Sequence, residues 1–180
     1  TQLIGIVGTN AKLSYNRILL QFMQKHFAKR ANIQIQELSD LPSFSENITL
    51  YDTPPIQKLI KVIESADGVI IATPEYDHAI PAVLKSVLEW LSHTSAVLEG
   101  KPVMVVGASY GPQGSARAQL QLRQILSAPD IQANTLPGNE FLLGNVANKF
   151  DKTGILTDRK DVQNLENCFD DFLTYIVQLS

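Results

Sequence analysis

Short, uninterrupted apolar runs alternate along this chain with longer stretches whose apolar residues recur every three to four positions. Residues 3–7 form one such run, ending at Gly8, and residues 69–72 and 103–108 form two more. Residues 33–38 alternate apolar and polar, and residues 140–143 are a shorter, weaker run. Continuous apolar runs of this length are what strands buried on both faces look like, so the pattern predicts five strands. Between them, residues 15–30, 55–65, 80–92, 113–126 and 161–179 carry helical periodicity, as in Ile18, Leu19, Phe22 and Met23 or Leu165, Phe169 and Phe172. Pro81 falls in a first helical turn, where a missing N–H breaks no bond.

Strands that alternate with helices imply βαβ units and a parallel sheet covered on both faces. Five of each predict an α/β, flavodoxin-like doubly wound sheet of order 2-1-3-4-5. Ligand sites in such sheets lie at the carboxyl ends of the strands, here at the switch point between the first and third. No linker or repeat divides the 180 residues, which predicts one domain over positions 1–180. Residues 42–55 and 145–158 read as long surface loops.

Charge and cysteine content narrow the function. A net charge of −3 is too mild and of the wrong sign for a nucleic-acid binder, which shows a basic patch. The single cysteine, Cys168, allows no internal disulfide, and no Cys/His cluster suggests zinc. Cys168 sits beside Phe169 on the apolar side of the last helix and reads as an inert buried thiol. The first residues enter an apolar run without a basic leader region, and no apolar stretch is long enough to span a membrane. Together these predict a cytoplasmic protein with neither nucleic-acid nor membrane partners.

If the sheet is right, three loops meet at one edge. The first runs from Gly8 to Asn16 and leads into a helix, whose N-terminus offers free N–H groups and a favourable dipole for anions. Thr9, Asn10, Lys12, Ser14, Tyr15 and Asn16 are its candidate binding residues. The loop lacks both the Walker lysine and the third glycine of a dinucleotide fingerprint, so it suits a monophosphate held without magnesium. An ordinary helix cap uses the same residue types, and that alternative stays open. The second loop, Pro74-Glu75-Tyr76-Asp77, lies between prolines that stiffen it, and Tyr76 suits the flank of a flat ring. His78 reads as a side chain near the pocket mouth. The third loop, with Ser109, Tyr110 and Gly111, has glycines that permit close backbone approach. Its N–H groups could stabilise negative charge on a reduced ring.

Pro74-Glu75-Tyr76-Asp77 resembles the Pro-Glu-Tyr-Asn motif of the NAD(P)H-dependent FMN reductase family, which includes quinone, chromate and azo-dye reductases. The following segment, from Ile80 and Pro81 through Glu89, Trp90 and Ser92, is similar to that family almost position by position. Gly114, Ser115, Arg117 and Gln119 match as well, as do Leu156, Thr157 and Asp158. The resemblance implies FMN as cofactor, NADPH or NADH as co-substrate, a small-molecule electron acceptor, and a homodimer or homotetramer. Arg117 resembles a family position, although pairing with a nearby acid would account for it equally. Trp90 reads as either core or dimer contact, and the resemblance favours a dimer interface, while Phe44 and Tyr51 either close over a neighbour's flavin or anchor their own loop. Three positions depart from the family pattern. Ala11 stands where an arginine is usual, with Lys12 as the candidate replacement. Asp77 replaces the motif asparagine, and Gly114-Ser115 replaces paired glycines.

The implied reaction is a hydride relay from the nicotinamide to the flavin and on to quinones, azo compounds, metal oxyanions or free flavin. The cofactor supplies that chemistry, so no catalytic side chain is assigned. Glu75 and Asp77 are spaced as paired carboxylates but fit loop shaping better than acid–base work. The alternative is a flavodoxin-type electron carrier without NAD(P)H oxidation of its own, since fold does not fix function. A flavin-binding sensor module is a third reading, for which no partner-binding tail speaks.

Overall fold

The computed structural model describes residues 1–50 and 53–180. Tyr51 therefore lies outside the described residues. The chain order is β1 (Gln2–Val7), α1 (Tyr15–His26), β2 (Asn32–Gln36), α2 (Pro54–Glu64), β3 (Gly68–Ala72), α3 (Ala82–Thr94), β4 (Pro102–Ala108), α4 (Ala116–Leu126), β5 (Asn134–Thr135), β6 (Phe141–Leu143) and α5 (Arg159–Leu179). The sheet is parallel and ordered β2-β1-β3-β4-β5, with β6 also paired to β4. This is the expected flavodoxin-like order.

Alternation within the central strands sorts side chains into two cores, because successive residues point to opposite faces. Leu3, Val7, Ile70 and Met104 pack under α1 and α5. Ile4, Ile6, Ile71 and Val105 pack under α2, α3 and α4. Three helices begin where the local sequence supplies a start. Ser14 accepts from the Arg17 N–H at α1, and prolines open α2. Asp158 accepts from Lys160 and Asp161 at α5, and those N–H groups hold its carboxyl below the usual range.

The fifth strand differs from expectation. The sequence pattern predicts one strand at 140–143, whereas two short pieces occupy the position. Asn134 and Thr135 pair with Pro102 and Val103, and Phe141 to Leu143 pair with Val106 to Ala108. Pro137 and Gly138, the latter at φ 72°, break the ladder between them. The guanidinium of Arg123 bridges the break, donating to the Leu136 and Asn139 carbonyls at 2.7 Å each. Burial pushes its pKa down, partly opposed by Glu140.

Trp90 corrects a second expectation. Its side chain is 0% exposed within this one chain, and Nε1 donates to the Pro42 carbonyl at 2.9 Å. Phe44 packs edge-on against Trp90 and His93, and its N–H donates to Ser86 Oγ. Trp90 and Phe44 thus pin the 42–50 loop onto α3, so Trp90 is a core residue rather than a surface one.

Two outcomes follow for stability and reactivity. A Cβ on Gly107 would stand 1.9 Å from Ser115 Oγ and 2.6 Å from the Thr73 carbonyl. Gly107→Ala should therefore cost about 1–3 kcal/mol in a urea-unfolding measurement. Cys168 is 1% exposed, and burial, seconded by Asp171, pushes its thiol pKa up. A disulfide-exchange reagent at neutral pH should leave it unlabelled until the chain unfolds.

Candidate functional site

The loops after β1, β3 and β4 enclose a cavity of about 660 Å³ at the carboxyl edge of the sheet. That volume lies within the range of small-molecule and cofactor sites. Ser14, Tyr15 and Asn16 line it from the first loop, Pro74, Glu75 and Tyr76 from the second, and Ser109, Tyr110 and Gly111 from the third. Nine of the thirteen residues expected from sequence are thereby brought together. Thr9, Asn10, Lys12 and Asp77 are not in the lining.

In the first loop, the N–H groups of Lys12, Leu13, Ser14, Tyr15 and Asn16 donate to no acceptor in the chain, among the described residues. Helix geometry leaves first-turn amides free, and the dipole gives that end a partial positive charge. Ser14 Oγ accepts from the Arg17 N–H at 3.3 Å, which leaves its own hydrogen available to donate. Asn16 has a different task from the one its sequence position suggests. It is 2% exposed, with Nδ2 donating to the Ala108 carbonyl at 3.0 Å and Oδ1 accepting from the Ala108 N–H at 2.9 Å. Its amide joins the start of α1 to the end of β4. Thr9 is also buried, and its hydroxyl meets Tyr76 Oη at 3.0 Å, tying the first loop to the second. Asn10 and Lys12 are exposed.

The second loop is a tight turn. Tyr76 and Ala79 exchange both backbone hydrogen bonds, with Asp77 at φ 49° and His78 at φ 66° between them. Two successive left-handed residues make a type I′ turn, in which Asn and Asp are among the best tolerated residues. Asp77 satisfies the turn as the family asparagine would, and its side chain and that of His78 are exposed at the tip. Glu75 turns inward instead. Oε2 accepts from the Arg117 and Ala118 N–H groups at 2.9 and 3.3 Å, and Oε1 pairs with the Arg117 guanidinium at 3.3 Å. A carboxylate at the N-terminus of α4 offsets two orphan donors and complements the dipole. Arg117 is thus the partner of a nearby acid.

The third loop continues β4. Ser109 donates to the Leu143 carbonyl, while the Tyr110 and Gly111 amides have no acceptor among the described residues. Gly114 and Ser115 both adopt positive φ, at 58° and 67°. Paired glycines suit that geometry; here Ser115 is held by Gln119, whose Nε2 donates to Ser115 Oγ at 3.2 Å and to the Phe141 carbonyl at 3.0 Å. Tyr110 meets Tyr15 edge-on at 5.3 Å, and Tyr15 stacks with Phe150 at 6.3 Å.

Sequence reasoning left Leu13, Ile18, Ala108, Pro112, Gln113, Ser115 and Arg117 out of the lining, and missed Arg17, which is outside it and donates to the Ala11 and Lys12 carbonyls. An arginine on the polar face of a helix carries no local signal that its side chain folds back on a loop. Among the described residues, no group of three His, Cys, Asp or Glu side chains could hold a metal ion, and no helix is long and apolar enough to cross a membrane.

The donor set fits an FMN: unpaired amides and a serine hydroxyl at one end for a phosphate, and aromatic side chains with free loop amides at the other for a flat polar ring. A family model described as NADPH-dependent FMN reductase matches residues 1–148. Vibrio ruber has an NADH:(hydroxy)cinnamate reductase subunit, CrdA, that is 50% identical over 96% of this chain and 85% of its own length. The NADH-dependent flavin reductase subunit 2 of Lactobacillus johnsonii is 47% identical over 98% of each chain. Among solved structures, FerB of Paracoccus denitrificans, a flavoenzyme NAD(P)H:(acceptor) oxidoreductase, superposes with a TM-score of 0.88. It is 27% identical and covers 98% of this chain and 97% of its own. The chain belongs to the NADPH-dependent FMN reductase family, on a flavodoxin-like sheet.

Proposed function

We propose that this chain forms a single FMN-binding domain whose cavity holds the cofactor phosphate at the N-terminus of α1 and the ring between Tyr76 and Tyr110. The observation that carries the reading is the row of unpaired amides from Lys12 to Asn16, with Ser14 and Tyr15 lining a 660 Å³ cavity. Once bound, FMN supplies the redox chemistry, accepting a hydride from a reduced nicotinamide and delivering the electrons onward. The protein's contribution is binding and orientation. Ser14 and the α1 amides hold the phosphate, while the Pro74, Glu75 and Tyr76 backbone and the Tyr110 and Gly111 amides meet the ring edge. Thr9 and Asn10 shape the first loop around this grip, Lys12 adds positive charge at its rim, and Asp77 shapes the second loop.

Two relatives near half identity are named as NADH-dependent or NADH-linked reductase subunits. They support NADH as the electron donor. Acceptors are small oxidants such as quinones, azo compounds, metal oxyanions or free flavin, which reach the ring through a mouth rimmed by exposed Tyr76 and Tyr110. Assembly as a homodimer or homotetramer is part of the proposal. A single buried free cysteine suits the reducing cytoplasm in which NADH is generated.

The purified chain should be yellow and release FMN on denaturation. Anaerobic addition of NADH should bleach the flavin; bleaching by neither NADH nor NADPH would leave an electron carrier in place of a reductase. Ser14→Ala should weaken FMN binding by about 1–3 kcal/mol through loss of a donor to a charged group. Asn16→Ala should act on the fold. Leaving the buried Ala108 peptide unpaired should cost about 1–3 kcal/mol of unfolding free energy, read from urea denaturation without flavin.

A further inference from the structure

Arg17 is 19% exposed and lies just behind the phosphate end of the cavity, outside its lining. Nε and Nη2 donate to the two carboxylate oxygens of Glu37 at 2.6 and 2.7 Å, a bidentate pair linking α1 to the residue that follows β2. Nη1 donates to the carbonyls of Ala11 at 2.9 Å and Lys12 at 3.1 Å. Four of the five guanidinium N–H groups are therefore engaged, and no fork remains to embrace a phosphate.

The two carbonyls determine where two amides point. In a trans peptide the C=O and N–H of one plane face opposite ways. The Ala11 carbonyl shares its plane with the Lys12 N–H, and the Lys12 carbonyl shares its plane with the Leu13 N–H. Drawing both carbonyls toward Arg17 turns both amides away from it, and neither amide has an acceptor in the chain among the described residues. The next residues, Leu13 and Ser14, line the cavity. No other side-chain donor to the Ala11 or Lys12 carbonyl occurs among the described residues, so the orientation of these peptides rests on this one guanidinium, itself aimed by Glu37.

Resting on the phosphate-site reading above, we propose that Arg17 is a positioning residue for the cofactor phosphate, acting through the backbone amides of Lys12 and Leu13 rather than by contact. A lysine cannot replace it. A single ammonium on a flexible stem does not hold two loop carbonyls and a bidentate carboxylate at fixed angles. Riboflavin, which has the ring and ribityl chain without the phosphate, separates this role from a general loss of structure.

The test is fluorescence titration of the flavin-stripped full chain with FMN and with riboflavin, for wild type, Arg17→Met, Arg17→Lys and Glu37→Gln. Arg17→Met should raise the FMN Kd roughly ten- to a hundredfold and leave the riboflavin Kd at the wild-type value. Arg17→Lys should fall close to Arg17→Met, and Glu37→Gln should show a smaller loss, again confined to FMN. Full FMN affinity in Arg17→Lys would mean that charge alone suffices and would overturn the clamp. So would equal losses for the two flavins, or wild-type FMN affinity in Arg17→Met. A wild-type chain that binds neither flavin would overturn the phosphate site and the clamp with it, whereas the other contrary outcomes sink the clamp alone.

Discussion

The pairing of the Asn16 amide with the Ala108 peptide fixes the distance on which the rest of the site depends. One side chain at the second position of α1 satisfies both the N–H and the C=O at the end of β4. It thereby holds the first loop, which ends a strand near the sheet's centre, against the third loop, which ends its neighbour's neighbour. Both residues are buried, so water offers the freed groups no substitute, and the cost of losing the pair is the full desolvation of two polar groups. Two further links complete the frame. Thr9 to Tyr76 joins the first loop to the second, and Glu75 to the start of α4 joins the second to the element that follows the third. Cavity shape is thus set by side chains that bond across from one loop to another element, while the first-loop donors left without acceptors among the described residues are backbone amides.

That division explains what could be read from the sequence. The strand order, the helix faces and the edge at which the loops gather follow from periodicity, because hydrophobic pattern and βαβ handedness leave few alternatives. The three loops were also legible, since glycine, proline and hydroxyl residues mark them. Roles within the loops were less so. Asn16 and Glu75 have the composition of ligand-binding residues and use it on distant peptides 92 and 42 positions away, a partnership that no local spacing encodes. The split of β5 and β6 was lost for a related reason. Two and three residues are too few to show a period, and the Arg123 bridge that makes them one edge lies on another element.

The departures from the family pattern become intelligible as backbone requirements. Asp77 and Ser115 both sit at positive φ, where the family carries asparagine and glycine. Aspartate visits that region readily, so the exchange at position 77 preserves the turn at the tip of the second loop. Serine does so less easily, and the strain at Ser115 is held by a buried hydrogen bond from Gln119. Gly107 has no such latitude, because Ser115 Oγ already occupies the space that its side chain would need.

Ala11 is the most instructive of these positions. Removing an arginine from a phosphate loop would be severe if that side chain were the main donor. In a loop whose donors are successive amides, every residue type but proline supplies one, and the orientation of the peptides matters more than their side chains. Lys12 is exposed and lies outside the cavity lining, so in the proposed site it would contribute charge at the rim rather than a fork. Rigidity has to enter from outside the loop, and a guanidinium braced on Glu37 is well suited to it, being planar, permanently charged and able to bind several oxygens at once. The opposite end of the cavity needs the reverse property. Tyr76 and Tyr110 are exposed at its mouth, and in the proposed site this would let a donor and an acceptor of quite different shapes approach the same ring in turn. In the proposed function, a cofactor held by its phosphate and only framed at its ring would suit a reductase with many acceptors, and one sheet edge would carry both halves of that design.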